Sequence, residues 1–442
     1  MRNAIAQQFT AGSLIRFALP TVVMMVISSL YGVVDGVFIA RFVGTDALAA
    51  ANILFPALGF VIGAGIMFGA GGSAITGADL GRGRTLTACR NFTRTLLFAH
   101  ILGAGSTVVL LLFMRPLLVA LGASERLLPY CEEYLRFLAP FLPLLVLQIV
   151  FGMFFIAAGK PGTGMWLTIV SGLVNVWLDY LLIVSFGMGM AGAALATGAG
   201  FSVTPLFALF YFRKGRTTLF FARHRLKMKV IASICANGSS EMVGSLAASI
   251  VGWLMNVAMI RAAGEEGVAA LTAVLYTQFL LTAVYYGYSG GVAPVISYNH
   301  GSRNFRLLRR IFSISAALIA LSSLAMTGAT LILARPLTGI FLESGTEAYA
   351  LAVRGYRFFA IGYLFAGFNI FVSGLFTALS NGRVSAWLSF VRTFGFSVAG
   401  VLLLPMIWRI DGLWIALPLA EAASLSLAVC SLLKYRGQYR YF

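Results

Sequence analysis

The sequence predicts an all-helical protein that crosses a membrane many times. Of its 442 residues, 60% are hydrophobic and only 10% are charged, whereas a soluble domain is about a quarter charged. Apolar stretches recur along the whole chain, and about 20 such residues suffice to span a bilayer as a helix. The 48 glycines agree with this interpretation, because small residues let membrane helices approach closely.

The apolar stretches divide into twelve predicted spans. Each is long enough to cross the hydrocarbon core of a bilayer. We expect the spans at about 13–40, 47–77, 94–121, 132–158, 164–185, 191–212, 231–260, 267–298, 311–338, 347–379, 384–408 and 412–433.

The net charge of +18 would indicate a nucleic-acid partner in a soluble protein. Here the basic residues fall in alternate connections, which is the pattern of loops that stay on the cytoplasmic side. We therefore expect cytoplasmic termini and no nucleic-acid partner. The polar start of the chain predicts no cleaved signal peptide. The basic connections carry Arg82, Arg84, Arg90 and Arg94, then Arg213, Lys214, Arg216, Arg223, Arg225, Lys227 and Lys229 (with His224 among them), then Arg303, Arg306, Arg309 and Arg310.

The two halves of the sequence repeat with an offset of 220 residues. Gly44 matches Gly264, Gly81 matches Gly301, and the tripeptide that begins at Arg115 returns at Arg335. A constant offset over nearly the whole chain indicates duplication. Six spans per half is an even number, so both halves insert the same way up, as in transporters with a cavity between their halves. The predicted domains are an N-lobe at 1–212, a basic linker at 213–230 and a C-lobe at 231–442.

Asp35 lies in the first span between Gly32 and Gly36, among apolar residues. A carboxylate in hydrocarbon costs several kcal/mol on most scales, so we expect it to face protein or water and to carry function. Asn175 and Asp179 are four residues apart and so share one helix face. Counted at about 1.5 Å per residue, Asp35, Asp179 and Thr197 lie at one depth, roughly 10 Å below the outer surface. These four side chains could bind a proton or a small hard cation, or form a structural polar cluster.

The second half lacks this cluster. Met255 and Ala399 occupy the positions of Asp35 and Asp179, so we expect the ion site in the first half alone. Glu241 near mid-depth, together with Asn256, is predicted to face a substrate cavity. Arg392 and Glu421, also near mid-depth, are predicted either to form a structural ion pair, because charges inside membranes commonly pair, or to carry function.

Several motifs resemble the multidrug and toxic compound extrusion (MATE) family, particularly its DinF-like and MepA-like bacterial branches. They are YGVVDGVFIARFVGTDALAAANILFP in the first two spans, LGASERLLPYCEEYLRFLAPFLP before the fourth, NVWLDYLLIVSFGMGMAGAALAT and GYSGGVAPVISYNHGSRN. The resemblance implies two six-helix lobes in a V shape and a proton or Na⁺ site at Asp35, Asn175, Asp179 and Thr197. The branch with a C-lobe site uses acids in spans 7 and 10. Glu241 matches the first, whereas span 10 offers only Asn369 and Ser373.

The predicted function is a secondary antiporter in the bacterial inner membrane that exports amphipathic, cationic compounds in exchange for protons or Na⁺. We expect a monomer without cofactor, enzymatic activity or bound metal other than Na⁺. One alternative is a flippase of the same superfamily for lipid-linked oligosaccharides or peptidoglycan precursors. A membrane enzyme is disfavoured, because the sequence has no recognisable catalytic set near a membrane face.

Overall fold

The computed structural model describes residues 4–213, 218–223 and 225–442. Lys214, Arg216 and His224 of the predicted linker lie outside the described residues. The described chain is helical, and ten of its helices are long and apolar enough to cross a membrane. Two of the ten are single tracts with non-helical residues inside, at Gly264 and at Trp408 with Arg409. Each of these tracts folds back as two spans, so the ten helices supply the twelve expected spans.

The first six spans are built from eight helices. The first span ends in a π-helix, Ile39–Val43. The fourth is α5 and α6 joined by a 3₁₀ turn, and the fifth ends in a second π-helix, Tyr180–Ser185. The helices are α1 (Ala11–Phe38), α2 (Thr45–Gly81), α3 (Thr85–Leu112), α4 (Met114–Ala120), α5 (Leu128–Leu138), α6 (Leu142–Ala157), α7 (Pro161–Asp179) and α8 (Gly189–Tyr211).

The last six spans use five helices. The tract α9 holds two spans, and α12 continues through a π-helix, Val391–Val398, into α13. The side chains of Asn304, Thr346 and Asn381 cap the starts of α10, α11 and α12, which satisfies backbone donors that a helix start leaves free. The helices are α9 (Met228–Gly301), α10 (Phe305–Phe341), α11 (Glu347–Ala378), α12 (Gly382–Phe390) and α13 (Ala399–Tyr439).

The structure corrects two features of the predicted spans. The third span begins at Thr85 rather than near 94, and Arg90 and Arg94 lie on this helix rather than in a loop. Arg306, Arg309 and Arg310 likewise lie on α10. The third span is also interrupted, at Phe113 between α3 and α4, three residues before Pro116. A proline has no backbone N–H to donate and disfavours a continuous helix.

The repeat is visible in the backbone as well as in the sequence. Gly44 after the first span and Gly264 inside α9 both have positive φ, and they are 220 residues apart. Glycine adopts this conformation at no steric cost, and the chain turns back at both positions. Positive φ also recurs at Gly83 and Arg303, with the same offset. The structure thus contains two pseudo-symmetric six-helix lobes.

The lobes meet through glycines at the end of the molecule that carries both termini, which we call the basic end. A Cβ on Gly81 would lie 2.0 Å from the carbonyl oxygen of Tyr298, and one on Gly301 would lie 2.1 Å from that of Ala78. The contact is reciprocal, because the two glycines and the two carbonyls are equivalent residues of the repeat. Close backbone approach through small residues is a principal source of helix association in membranes, where lipid is as apolar as leucine.

Toward the opposite end the same helices lose these contacts. A Cβ on Gly32 of α1, or on its equivalent Gly252 of α9, would meet no atom within 4 Å. Neighbouring side chains such as Val33 and Trp253 are exposed. The two lobes therefore pack tightly at the basic end and open toward the other.

Each lobe ends in a segment that folds back onto its third span. After α8, Phe221 packs on Phe92 of α3, with ring centres 5.5 Å apart. After α13, Tyr441 packs on Phe312 of α10 at 5.6 Å. These rings are equivalent residues of the repeat, so the predicted linker and the C-terminal segment play the same packing role in the two lobes.

Candidate functional site

Three helices of the first lobe bring the predicted ion-site residues together. Asp35 of α1 accepts a hydrogen bond from the Thr197 hydroxyl on α8 at 3.3 Å. The amide of Asn175 on α7 donates to the same hydroxyl oxygen at 3.5 Å. Asp179, one helical turn beyond Asn175, neighbours Asp35. The structure therefore gathers all four residues into one site, which we call the N-lobe site.

The N-lobe site is short of positive charge. Asp179 is fully buried and Asn175 is 2% exposed. Within the described residues, no hydrogen-bond donor reaches either carboxylate oxygen of Asp179 or the amide oxygen of Asn175. Buried polar groups normally have partners, and buried carboxylates need a proton or a cation. The orphaned oxygens fit a small cation that prefers oxygen ligands, and they fit a shared proton equally well.

Local helix geometry places the two acids. Asp179 is the last α-helical residue before the π-helix Tyr180–Ser185, and Asp35 lies four residues before the π-helix Ile39–Val43. A π-helical turn widens the helix and is frequent at functional sites. Gly200 of α8 allows α7 to pack closely against α8, since a Cβ on Gly200 would lie 3.2 Å from the Cβ of Asn175.

Two tyrosines that the sequence analysis did not single out adjoin this site. Tyr134 of α5 is 5% exposed, and its hydroxyl neighbours Thr197 and both acids. Tyr31, one turn before Asp35, lines a cavity of about 10 Å³ together with Gln148, Ser171 and Asn175. This volume is about what one water molecule requires. Tyr134 lies in one of the family-like motifs, but it is on a different span from Asp35, and nothing in the sequence predicts that the two residues are close.

The second lobe carries a different polar centre. Arg392, inside the π-helix Val391–Val398, donates from Nε and Nη2 to Oε1 of Glu421 at 3.0 and 2.6 Å. Asn369 of α11 donates to the other oxygen of Glu421 at 2.7 Å. Glu241 of α9 is half-buried and lies near the same guanidinium. We call these four residues the C-lobe centre.

Two further residues complete the picture of this lobe. The phenol of Tyr286, which sequence reasoning missed, lies beside Arg392 and both glutamates. Asn256 donates to the carbonyl oxygen of Gly252 in its own helix at 3.0 Å. The structure thus brings Glu241 to Arg392 and Glu421, while Asn256 lies about four turns along α9 from Glu241.

The sequence matches one family model twice. MatE matches residues 20–181 and again residues 242–403, so the two matches fall in the two lobes. A multidrug export protein MepA from Staphylococcus haemolyticus is 22% identical over 404 residues, which cover 91% of this chain and 87% of that protein.

Solved structures share the fold over the whole chain. An outward-facing conformation of a multidrug resistance MATE family transporter of the MOP superfamily superposes with a TM-score of 0.90 at 22% identity, covering 100% of this chain and 98% of that one. A MOP superfamily transporter from Pyrococcus furiosus, described as having a binding pocket of reverse polarity, superposes with a TM-score of 0.91 at 21% identity and the same coverage.

Proposed function

From the premise that the chain belongs to the MatE family, and so is a membrane transporter of small molecules rather than an enzyme, we propose that it is a secondary antiporter. It exports amphipathic, cationic compounds and takes up protons or Na⁺ in exchange. Alternating access of the two lobes moves each solute across. Export as such is supported by the MepA relative, and the exchange by the N-lobe site.

One observation carries the coupling. Asp179 is fully buried beside Asp35, and within the described residues no donor reaches its two oxygens. Two carboxylates so placed are stable only with positive charge between them. A proton shared by Asp35 and Asp179 supplies it, or a Na⁺ does, with Asn175 and Thr197 completing an oxygen shell. Loss of that ion on one side of the membrane would leave the site unfavourable until a substrate or a new ion arrives.

The geometry of the lobes suits this exchange. We assign the N-lobe to 1–212, the linker to 213–230 and the C-lobe to 231–442, with both termini in the cytoplasm and the chain acting as a monomer. On this orientation the glycine contacts at Gly81 and Gly301 close the cytoplasmic side, and the cavity opens outward. Glu241 and Asn256 face the cavity, where Glu241 attracts cationic groups.

The alternative is a flippase for lipid-linked precursors, whose cavity would be cationic. The C-lobe centre has two glutamates and one arginine, and this excess of negative charge favours a cationic solute. The Pyrococcus neighbour has the same fold and is described as having a binding pocket of reverse polarity, so the fold alone does not determine the charge of the substrate.

The test is transport by purified protein in liposomes, with a proton gradient and a Na⁺ gradient imposed separately. We expect one of the two to drive export of a cationic dye against its concentration gradient. Asp35→Asn should abolish this uphill export while dye binding to the purified protein stays within about threefold of wild type. Uphill export by both Asp35→Asn and Asp179→Asn proteins would refute coupling at the N-lobe site.

A further inference from the structure

Arg392 is held by Glu421 through one carboxylate oxygen. Two guanidinium nitrogens, Nε and Nη2, converge on Oε1 at 3.0 and 2.6 Å. Both side chains are largely enclosed, at 20% and 17% exposure. In such surroundings a charge-assisted hydrogen bond is strong, and a charge that loses its partner is costly.

Asn369 fixes the other side of Glu421. Its amide nitrogen donates to Oε2 at 2.7 Å and to the backbone oxygen of the same residue at 2.8 Å. The carboxylate is therefore held by α11 on one side and by the π-helix of Arg392 on the other. The amide is neutral, so Arg392 provides the positive charge for Glu421 in this arrangement.

A second acid competes for that guanidinium. Glu241 of α9 lies near Arg392, and the phenol of Tyr286 lies beside the same charged groups. Among the described residues, no ion pair is formed by Glu241, whereas Glu421 has one. With both glutamates ionised the three charges sum to one negative charge, and Glu241 is then the acid without an ion-pair partner among the described residues.

We propose that Arg392 is a built-in cation of the C-lobe that neutralises Glu421 and thereby leaves Glu241 as the single acid open to the cationic group of a substrate. The proposal rests on the proposed function for the charge of the substrate. Its consequence is specific. If Glu421 loses its charge, Arg392 turns to Glu241 and closes it to substrate, although Glu421 itself makes no substrate contact.

Equilibrium binding of rhodamine 6G, a lipophilic monocation, to purified protein in detergent tests this by fluorescence anisotropy. Glu421→Gln should weaken binding roughly tenfold or more, the scale of a lost charge contact in a partly dry cavity. The double variant Glu421→Gln with Arg392→Gln should regain affinity to within about threefold of wild type. Arg392→Gln alone should bind the dye at least as tightly as wild type, because no guanidinium then competes for Glu241.

A purely structural ion pair gives the opposite pattern: each single variant binds more weakly, and the double variant does not recover. That pattern, or unchanged binding in Glu421→Gln, would overturn the proposal. Asp411→Asn and its double with Arg354→Gln are matched controls, since this exposed pair is expected to leave binding unchanged. If Glu421→Gln does not fold, weaker binding by Arg392→Gln alone is enough to overturn the idea.

The binding assay needs no ion gradient, so it separates this inference from the proposed antiport. Dye that binds with the expected pattern but is never pumped uphill would support the role of Arg392 and count against coupling at the N-lobe site. A wild-type protein that fails to bind this monocation would overturn the role of Arg392, while uphill export of a different compound would still support antiport.

Discussion

The two lobes have the same backbone fold, and they differ in how their buried carboxylates are satisfied. In the N-lobe site, Asp35 and Asp179 adjoin each other, and no described basic side chain pairs with either of them. In the C-lobe centre, Arg392 pairs with Glu421. A buried carboxylate requires positive charge; among the described residues, a basic side chain supplies it in the C-lobe centre and none supplies it in the N-lobe site. Duplication of the fold has therefore not duplicated the chemistry.

The sites also stand at different places in the repeat. The equivalents of Asp35 and Asp179 are Met255 and Ala399, and Met255 is fully buried in an apolar cluster. The C-lobe cannot assemble a copy of the N-lobe site from those positions. Its own acids come from α9 and α13 instead, and its arginine comes from a π-helix.

The largest effect should follow from removing the most enclosed acid. Asp179→Asn takes away half of the negative charge of the N-lobe site, which on the proposed function holds the coupling ion. We expect gradient-driven dye export in liposomes to fall to the level of empty liposomes, with the protein still folded by size exclusion. Asp46→Asn is the control, because this acid forms an exposed pair with Arg126 and exposed pairs contribute little. Export by Asp179→Asn at more than about half the wild-type rate would remove the contrast between the lobes.

Much of this contrast could be predicted from the sequence, and some of it could not. Asp35, Asn175, Asp179 and Thr197 were predicted as one site, because helical spacing and depth place them together. Tyr286 and Tyr134 were not predicted as site residues, since the sequence pattern of an apolar span does not distinguish a tyrosine at a site from one in the core. The proximity of Glu241 to Arg392 was also not predicted, because it depends on how α9 packs on the π-helix Val391–Val398, which no local pattern encodes.

Span ends were harder to predict than span positions. The starts of α3 and α10 were placed too late because arginines such as Arg90 and Arg309 resemble loop residues. Long basic side chains can lie on a helix and still reach the interface. Arg94 lies on α3 but is buried, and its Nε donates to the backbone oxygen of Arg225 at 3.0 Å.

The packing of the two lobes at the basic end, unlike the chemistry of their polar sites, should respond in the same way to a substitution in either lobe. Gly301→Ala would place a Cβ 2.1 Å from the carbonyl oxygen of Ala78, and Gly81→Ala one 2.0 Å from that of Tyr298. Each should destabilise the closed basic end by about 1–3 kcal/mol, the usual cost of overpacking. We expect faster labelling of a cysteine introduced at Ser297, which faces Gly77 across this interface.

The control for the glycine variants is at the open end. Gly32→Ala and Gly252→Ala meet open space and should leave the labelling rate unchanged, with stability equal or slightly higher because alanine favours helix. Equal labelling in all four variants would mean that the glycine contacts do not hold the basic end closed. A response in only one of Gly81→Ala and Gly301→Ala would contradict the reciprocal contact between the lobes.

The smallest expected effect concerns the segments that fold back onto each third span. Tyr441 is fully buried, and its hydroxyl donates to the backbone oxygen of Leu432 at 2.9 Å. Its equivalent, Phe221, has no hydroxyl; there the backbone N–H donates to the oxygen of Phe212 at 3.2 Å. Residues 432 and 212 are themselves equivalent, so the two lobes satisfy the same carbonyl by different donors.

Tyr441→Phe therefore gives the C-lobe the side chain that the N-lobe already has, but without the backbone donor. The ring contact with Phe312 remains, and the oxygen of Leu432 loses its hydroxyl donor. We expect a loss of stability of about 0.5–1.5 kcal/mol, the net worth of one hydrogen bond, read as a lower midpoint of thermal unfolding in detergent. Export should not change, because neither the N-lobe site nor the C-lobe centre is touched. Phe221→Tyr, with its backbone bond intact, should gain nothing comparable. A fall in export without a fall in thermal stability would show instead that the C-terminal segment acts in transport, and the equivalence of the two segments would then be one of packing alone.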